Sequence, residues 1–398
     1  MAEIIPYNRI DRTEWSKLVR ESATGTWFQS PEAYALFAAL PELFEPFAIG
    51  IINENSKNIF SNQKSGDTAY ELRGVCVGYV TKEKSVLRQW FTRRAIILGG
   101  PCLKDDATVE EVELLLKRVR ELGSERVREL GRPIYIETRN FNDYSRWKEA
   151  FEEAGFAYRP HLNFHVDCRD KETMWDRLSD NRKRQIRRGT SERMSELGNE
   201  RMRGLEGERL EDAALQDATL QDASVTEQEI REWYGILEKL YRTKVKTPLW
   251  PVEFFLEANR QGVGMFRLVK LENKIIGGSF CVVLDKNKNT KNKVENTAGG
   301  TVYEWFECGL NAEYKEQYPS VMATWAGMEW AHAHGCARYD MMGAGEPGVP
   351  YGVRDFKSEF GGEMVEHGRY LCVLKPWLYQ LGTIGVRLLK KDYRKRQR

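Results

Sequence analysis

Two stretches of this 398-residue chain run strand, helix, strand, and that repeated order limits the folds open to it. In the first, the apolar run Ala95–Leu98 closes on Gly99-Gly100-Pro101. A helix is predicted over 109–130, with Val109, Val112, Leu115, Leu116, Val119 and Leu122 at helical spacing. Gly131-Arg132-Pro133 stops it, and a strand is predicted over 133–137. In the second, a strand over 301–308 leads to a helix over 319–334 and a strand over 337–342. Apolar residues (Val321, Met322, Trp325, Met328, Trp330) fall around much of that helix, which predicts a buried one. Strand, helix, strand is the βαβ pattern, so the class is α/β, with a second half that repeats the layout of the first.

The remaining elements fill in around these two units. Strands are predicted over 48–53, 74–81 and 161–166, a hairpin over 263–271 and 274–284 turning at Glu272-Asn273, and helices over 174–188 and 230–242. The Asn/Lys/Ser-rich run 53–67 and the Lys/Asn-rich run 285–297 read as solvated loops. Residues 201–228 are acidic, poor in bulky apolar side chains and carry a tandem pentapeptide, Leu215-Gln216-Asp217-Ala218-Thr219 then Leu220-Gln221-Asp222-Ala223-Ser224, which reads as a surface insertion. The expected division is 1–160, 161–375 with the insertion 201–228, and a basic amphipathic segment 376–398.

Composition removes some classes. Lys+Arg number 61 and Asp+Glu 59, a formal charge of +2, which excludes a histone-like polycation and an acidic solvating chain. The greasiest run, Tyr34–Ile52, is interrupted by Pro41, Glu42, Glu45 and Pro46, so no membrane span is expected. The opening residues show no basic and then apolar leader pattern. Seven scattered cysteines without a C-x-x-C pair read as reduced core residues of a cytoplasmic protein. His332 and His334 stand two apart on a helix and do not share a face. His161 and His165 share a strand face without a clustered thiol or carboxylate. No metal site is therefore expected.

The densest special stretch is Asp340-Met341-Met342-Gly343-Ala344-Gly345-Glu346-Pro347-Gly348. Gly343, Gly345 and Gly348 match G-x-G-x-x-G after a strand, but Pro347 and Pro350 oppose the helix a dinucleotide fingerprint requires. The same residues resemble the acyl-CoA loop of GNAT acetyltransferases, with Asp340 in place of the usual Gln or Arg. A tight turn that needs positive φ is the plain structural alternative.

Tyr318-Pro319-Ser320, the Gly-x-Gly at 343–345 and Phe356-Lys357-x-x-Phe360-Gly361 together resemble the FemABX aminoacyltransferases, builders of peptidoglycan cross-bridges in the GNAT-like superfamily. Weaker support comes from Trp27-Phe28-Gln29-Ser30, Gly99-Gly100-Pro101 and the basic run after Asn181. The resemblance implies two GNAT-like (acyl-CoA N-acyltransferase-like) subdomains, each a mixed sheet flanked by helices, with the substrate cleft between or beside them. It implies an aminoacyl-tRNA donor, acyl-CoA being the alternative, no tightly bound cofactor, and an amine acceptor on a muropeptide or lipid-linked cell-wall precursor. It gives Phe356 and Lys357 the main catalytic role, the ammonium stabilising a tetrahedral oxyanion. A non-catalytic binding protein on the same fold is the rival from another class.

The resemblance also directs the choice of other site residues. Asp355, Tyr303 and Glu359 are candidates to take the acceptor's proton. Arg182, Arg184 and Arg187, in a run with five basic residues in eight positions from Asn181 to Arg188, suit phosphate contact. Gly343, Gly345 and Arg354 border the glycine loop, and Asp105 stands near an acidic position of the family. Family members that bind a UDP-linked muropeptide carry a lysine in the helix after Gln29-Ser30. The helix Pro31–Ala38 has none here, which shifts the expected acceptor toward a lipid-linked precursor. The apolar, then basic segment 376–398 suits contact with anionic lipid or with tRNA.

Overall fold

The computed structural model describes residues 2–53, 70–82, 92–125, 133–201, 225–286 and 299–384, with side chains left out at 124–125 and 191–201. Both Lys/Asn-rich runs lie mostly outside these residues. So do residues 202–224 of the acidic insertion and all of 385–398. The chain divides into two compact units, Met1–His161 with His367–Arg398, and Leu162–Glu366.

The first unit is built on eight strands, β1 (Ala2–Pro6), β2 (Phe44–Asn53), β3 (Glu71–Thr81), β4 (Ala95–Gly99), β5 (Cys102–Leu103), β6 (Tyr135–Asn140), β7 (Ala157–Arg159) and β14 (Arg369–Val373). Their order is β1-β2-β3-β4-β6-β14-β7, with β5 on β3. The pairing is antiparallel except between β4 and β6, which the first strand-helix-strand stretch makes parallel. Helices α1 (Arg12–Glu21), α2 (Pro31–Ala38), α3 (Val109–Glu125) and α4 (Lys148–Glu153) belong to this unit. Val112, Leu115, Leu116 and Val119, the apolar stripe of α3, pack in one cluster with Ile49, Ile51, Ile97 and Ile136.

The second unit holds β8 (Leu162–Asp167), β9 (Met265–Leu271), β10 (Lys274–Leu284), β11 (Gly300–Gly309), β12 (Cys336–Gly343) and β13 (Glu363–Glu366), in the order β13-β8-β12-β11-β10-β9. Again one pair is parallel, β11 with β12, on either side of a helix. The helices are α5 (Lys171–Asp176), α6 (Asp180–Arg201), α7 (Glu227–Leu240), α8 (Val252–Arg260), α9 (Pro319–Ala333) and α10 (Gly352–Ser358). Most of α9 is buried, including Ser320, Thr324 and Glu329. Trp233 of α7 and Phe254 and Phe255 of α8 form an aromatic cluster with Phe266, Phe280, Trp305 and Phe306 of the sheet. Both units are thus mixed sheets flanked by helices, as expected, and all seven cysteines are buried and unbridged.

Three local expectations are corrected. The helix predicted over 174–188 is two helices: the Ser179 hydroxyl accepts from the Arg182 backbone N–H at 3.2 Å and starts a second helix, while Asp170 caps the first. Residues 352–358 form a helix, which the glycine- and proline-rich sequence just before it concealed. Strand β14, placed by the sequence division in the second half, pairs instead with β6 and β7 of the first. Its Tyr370 ring stacks on Phe151 of α4 at 3.9 Å, so the first core is closed by residues far along the chain. Tyr370→Ala should therefore lower stability by ~3–5 kcal/mol, measured by urea unfolding, as large-to-small changes in a packed core do. A neutral effect would place β14 outside that core.

Candidate functional site

The second unit concentrates ionisable groups at the end of its parallel strand pair. On β12, Met342 sits in the left-handed region at φ 60°. For a residue with a Cβ that costs roughly 1–2 kcal/mol. The cost is met locally: Asp340 Oδ1 accepts from the Met342 N–H at 2.7 Å, and the pairing of β12 with β8 breaks between Asp340 and Gly343. The kink turns two successive odd carbonyls, those of Met341 and Gly343, onto one group, the Lys357 ammonium. The Gly343 contact is 2.8 Å. Lys357 comes from α10 and is only 9% exposed. An ammonium has three donors, and two are committed here, which leaves one for a further acceptor.

Lys357 is held by charge as well. Burial presses its pKa down, and the carboxylates of Glu304, Asp340 and Glu307 oppose that. Asp340 is fully buried with His165 Nε2 3.2 Å from its Oδ2. Burial works against its charge, but His165 and then Arg338 keep its pKa below the usual carboxylate range. Glu304 accepts from the Thr324 hydroxyl at 2.8 Å and the Tyr339 hydroxyl at 2.9 Å, and burial raises its pKa against the pull of Lys357.

The Glu304 and Glu307 side chains share a side because β11 is irregular. Cys281 pairs with Glu304 and Phe280 with Phe306, so Trp305 is the extra residue of a bulge. Without it, residues three apart on a strand face opposite ways. With it, Glu304 reaches Thr324 and Glu307 lies beside Ser320, one turn apart on α9. One carboxylate oxygen of Glu307, Oε1, is buried with no hydrogen-bond partner among the described residues. Burial, then repulsion from Glu304, pushes its pKa up to about 8.

The sequence-predicted residues divide into those gathered here and those used elsewhere. Lys357 and Phe356 are at this site. Tyr303, from the same strand, is fully buried, and burial pushes its pKa up to about 12, which disqualifies it as a base near neutrality. Asp355 is exposed on α10. Glu359 accepts from Asn181 Nδ2 at 2.9 Å and from the Ser179 hydroxyl at 3.3 Å, tying α10 to the start of α6. The two glutamates on β11 are the residues the sequence pattern did not single out. The signal was their spacing: carboxylates three apart in an aromatic strand, Tyr303-Glu304-Trp305-Phe306-Glu307, break the alternation a regular strand requires.

Arg182 is not a phosphate ligand in this arrangement. Its guanidinium is buried, lies over the rings of Phe356 at 4.5 Å and Phe360 at 4.9 Å, and donates to the Phe356 carbonyl at 3.2 Å. It clamps the Phe-Lys segment from behind. Arg184 is exposed and bonds Asn181, and Arg187 is exposed with its guanidinium over Trp175 at 5.3 Å, so these two present charge on the outer face of α6. Arg354 donates to the backbone carbonyls of Ala344, Val349 and Glu346, closing the glycine loop on itself. Gly345 (φ 82°) and Gly348 (φ 72°) supply left-handed turns there, a Cβ on Gly345 would meet the Tyr351 ring at 2.9 Å, and the next helix opens only at Gly352. The turn reading of these glycines holds and the dinucleotide reading does not. Asp105 lies in the first unit, exposed, and accepts from the Ala23 N–H at 2.9 Å.

Arg182→Lys keeps the charge but loses the planar stack and the reach to Phe356. It should cost about 2 kcal/mol in thermal or urea unfolding. An unchanged protein would mean the clamp carries nothing.

Residues 298–385, which include β11, α9, β12 and α10, match the FemAB family. No curated protein matches the chain in sequence. Among solved structures, that of FemX is 13% identical with a TM-score of 0.51, covering 95% of this chain and 99% of that one, a likeness of fold. Also similar are L-PGS from Bacillus licheniformis (9% identical, TM-score 0.44, 96% and 97% covered) and a GCN5-related N-acetyltransferase from Sphaerobacter thermophilus (9%, 0.41, 93% and 94%).

Proposed function

We propose that the chain is a FemAB-type acyltransferase that moves an aminoacyl group from aminoacyl-tRNA to an amine of a peptidoglycan precursor, a reading supported by the FemAB family match over 298–385 and the FemX-like fold. The observation that carries the reading is the Lys357 ammonium: buried, fixed by two strand-end carbonyls and with one donor in reserve.

The chemistry asks for two things. The amine attacks the ester carbonyl, a C–N bond forms, and the carbonyl oxygen becomes an oxyanion. A preorganised cation in a site shielded from water stabilises that charge without reorganising at the moment of reaction. Lys357 meets this need, and the clamp of Arg182 on Phe356 sets its approach. The ester C–O bond then breaks, and the ribose hydroxyl leaves with a proton. That proton must first be taken from the attacking amine. Glu307 is suited to hold it, since its carboxyl has an open oxygen and its pKa stands near 8, close to working pH. Arg184 and Arg187, exposed on α6, are available to the donor's phosphates. A charged-tRNA donor is made in the cytoplasm, so the reaction belongs to that side of the membrane.

Incubation with charged tRNA and lipid-linked or soluble muropeptides should give amide product. Lys357→Ala should reduce the rate by ~10²–10³-fold, as loss of one oxyanion donor does. Equal product from both proteins, or saturable acetyl-CoA binding with no turnover of charged tRNA, would overturn the assignment.

The rate should also rise with pH through about 8 as Glu307 loses its proton, because a base acts only when deprotonated. Glu307→Gln should be slow and should lack that limb. Retention of the limb in the variant would assign it to another group. Arg184→Ala with Arg187→Ala should weaken tRNA binding and flatten its dependence on salt, measured by filter binding.

A further inference from the structure

On the side of the first sheet turned away from the α3 and α4 core, three arginines stand abreast. Arg139 of β6 pairs with Arg369 of β14, and Arg369 pairs in turn with Arg159 of β7. Directly paired residues share a face of a sheet, so all three side chains leave on one side. Ile136, Tyr370 and Tyr158, each an odd number of residues away, pack with the core on the other. Partners on neighbouring strands are about 5 Å apart, which makes the row about 10 Å long. Like charges set directly opposite each other destabilise a sheet, and here two such pairs follow in succession. One carboxylate answers them. Glu137, two residues before Arg139 and on the same face, accepts from Arg139 Nε at 2.8 Å and from Arg369 Nη1 at 3.1 Å.

That single acid leaves the row short of negative charge. Arg369 Nη2 meets His161 Nε2 at 2.8 Å, and since a guanidinium only donates, the imidazole accepts and is neutral. Arg369 Nε is buried with no hydrogen-bond partner among the described residues. The two terminal nitrogens of Arg139 and the whole guanidinium of Arg159 likewise make no hydrogen bond or ion pair among the described residues. The balance is 3 − 1 = +2 on one face. Burial holds the Arg369 pKa below the usual arginine value, Glu137 opposes the shift, and Arg139 adds to it. The row is nonetheless reachable: the Arg139 side chain is 32% exposed, that of Arg369 27%, and Arg159 is exposed. A single carboxylate carries one charge and fills one guanidinium fork. A diphosphate carries two or more charges on oxygens spread over a length that adjacent forks can grip bidentately, and all three cations are arginines, not lysines. We propose that Arg139, Arg369 and Arg159 form a binding site for a diphosphate-bearing ligand, with Glu137 holding the first two guanidiniums in place.

Calorimetric titration of the full chain with inorganic pyrophosphate tests this and needs no acyl donor, so its outcome is independent of the acyl-transfer reading. The parent protein should bind pyrophosphate saturably, more tightly than sulfate or inorganic phosphate, and less tightly as salt rises. Arg159→Gln, at an exposed side chain, should keep the melting temperature and weaken binding ~10-fold, and adding Arg139→Gln should weaken it ~100-fold or more. Glu137→Gln removes the competing charge and should tighten binding several-fold, an effect that a purely structural ion network would not produce. ADP and farnesyl diphosphate separate the sources of the diphosphate. Tighter binding of ADP than of pyrophosphate assigns the site to a nucleotide-linked ligand, and tighter binding of farnesyl diphosphate to a lipid-linked one. Failure of the parent to bind pyrophosphate, or an Arg139→Gln, Arg159→Gln double variant that binds it as the parent does, would overturn the proposal. So would citrate that binds as tightly as pyrophosphate, which assigns the row to carboxylates.

Discussion

One kinked strand end organises the candidate site. Because Met342 takes a left-handed backbone angle, the carbonyls of Met341 and Gly343 converge, and a lysine ammonium can be buried between them. A buried cation without acceptors would shed its proton or unfold the region, since desolvation of a charge is far more costly than any single hydrogen bond returns. Every neighbouring feature answers that constraint. Asp340 bonds the strained N–H, His165 steadies Asp340, and Glu304 faces the ammonium from the adjacent strand.

The same constraint explains why the carboxylates have divergent character. Asp340 has a cationic neighbour and a backbone donor, so it stays ionised despite full burial. Glu304 shares its charge with two hydroxyls. Glu307, brought to the same side only by the Trp305 bulge, has an oxygen without a partner and repulsion from Glu304, so it holds a proton more readily. Titratable groups driven apart in this way are what acid–base work requires. A regular β11 would have pointed Glu307 into the aromatic cluster that fills the opposite side.

Much of this was legible in the residues. The two strand-helix-strand units announced two mixed sheets, each with a parallel pair, because a crossover helix forces that pairing. Phe356-Lys357-x-x-Phe360-Gly361 marked the segment that carries the buried ammonium. Hidden from the sequence were the contacts between distant residues. Arg182 reads as one more charge in a basic run until Phe356, 174 residues on, is seen to lie under it. Strand β14 is five residues of modest alternation, and only the exposed edges of β6 and β7 select it. The bulge on β11 could have been suspected from carboxylates spaced by three, but its placement needs the register with β10.

Arg182 also shows how one residue type in one run serves opposite ends. Helix α6 turns Arg182 inward, where two aromatic rings and a carbonyl replace its water, and turns Arg184 and Arg187 outward, where water remains. The inward guanidinium fixes the geometry behind the lysine, and planarity is what it contributes, since an ammonium could not lie flat on both rings. The outward pair contributes charge at range, which needs no fixed pose and fades with salt. A single basic helix therefore both builds the site and presents charge to solvent. Its composition alone reveals only the second role, because the first is set by the helical phase that the Ser179 cap establishes.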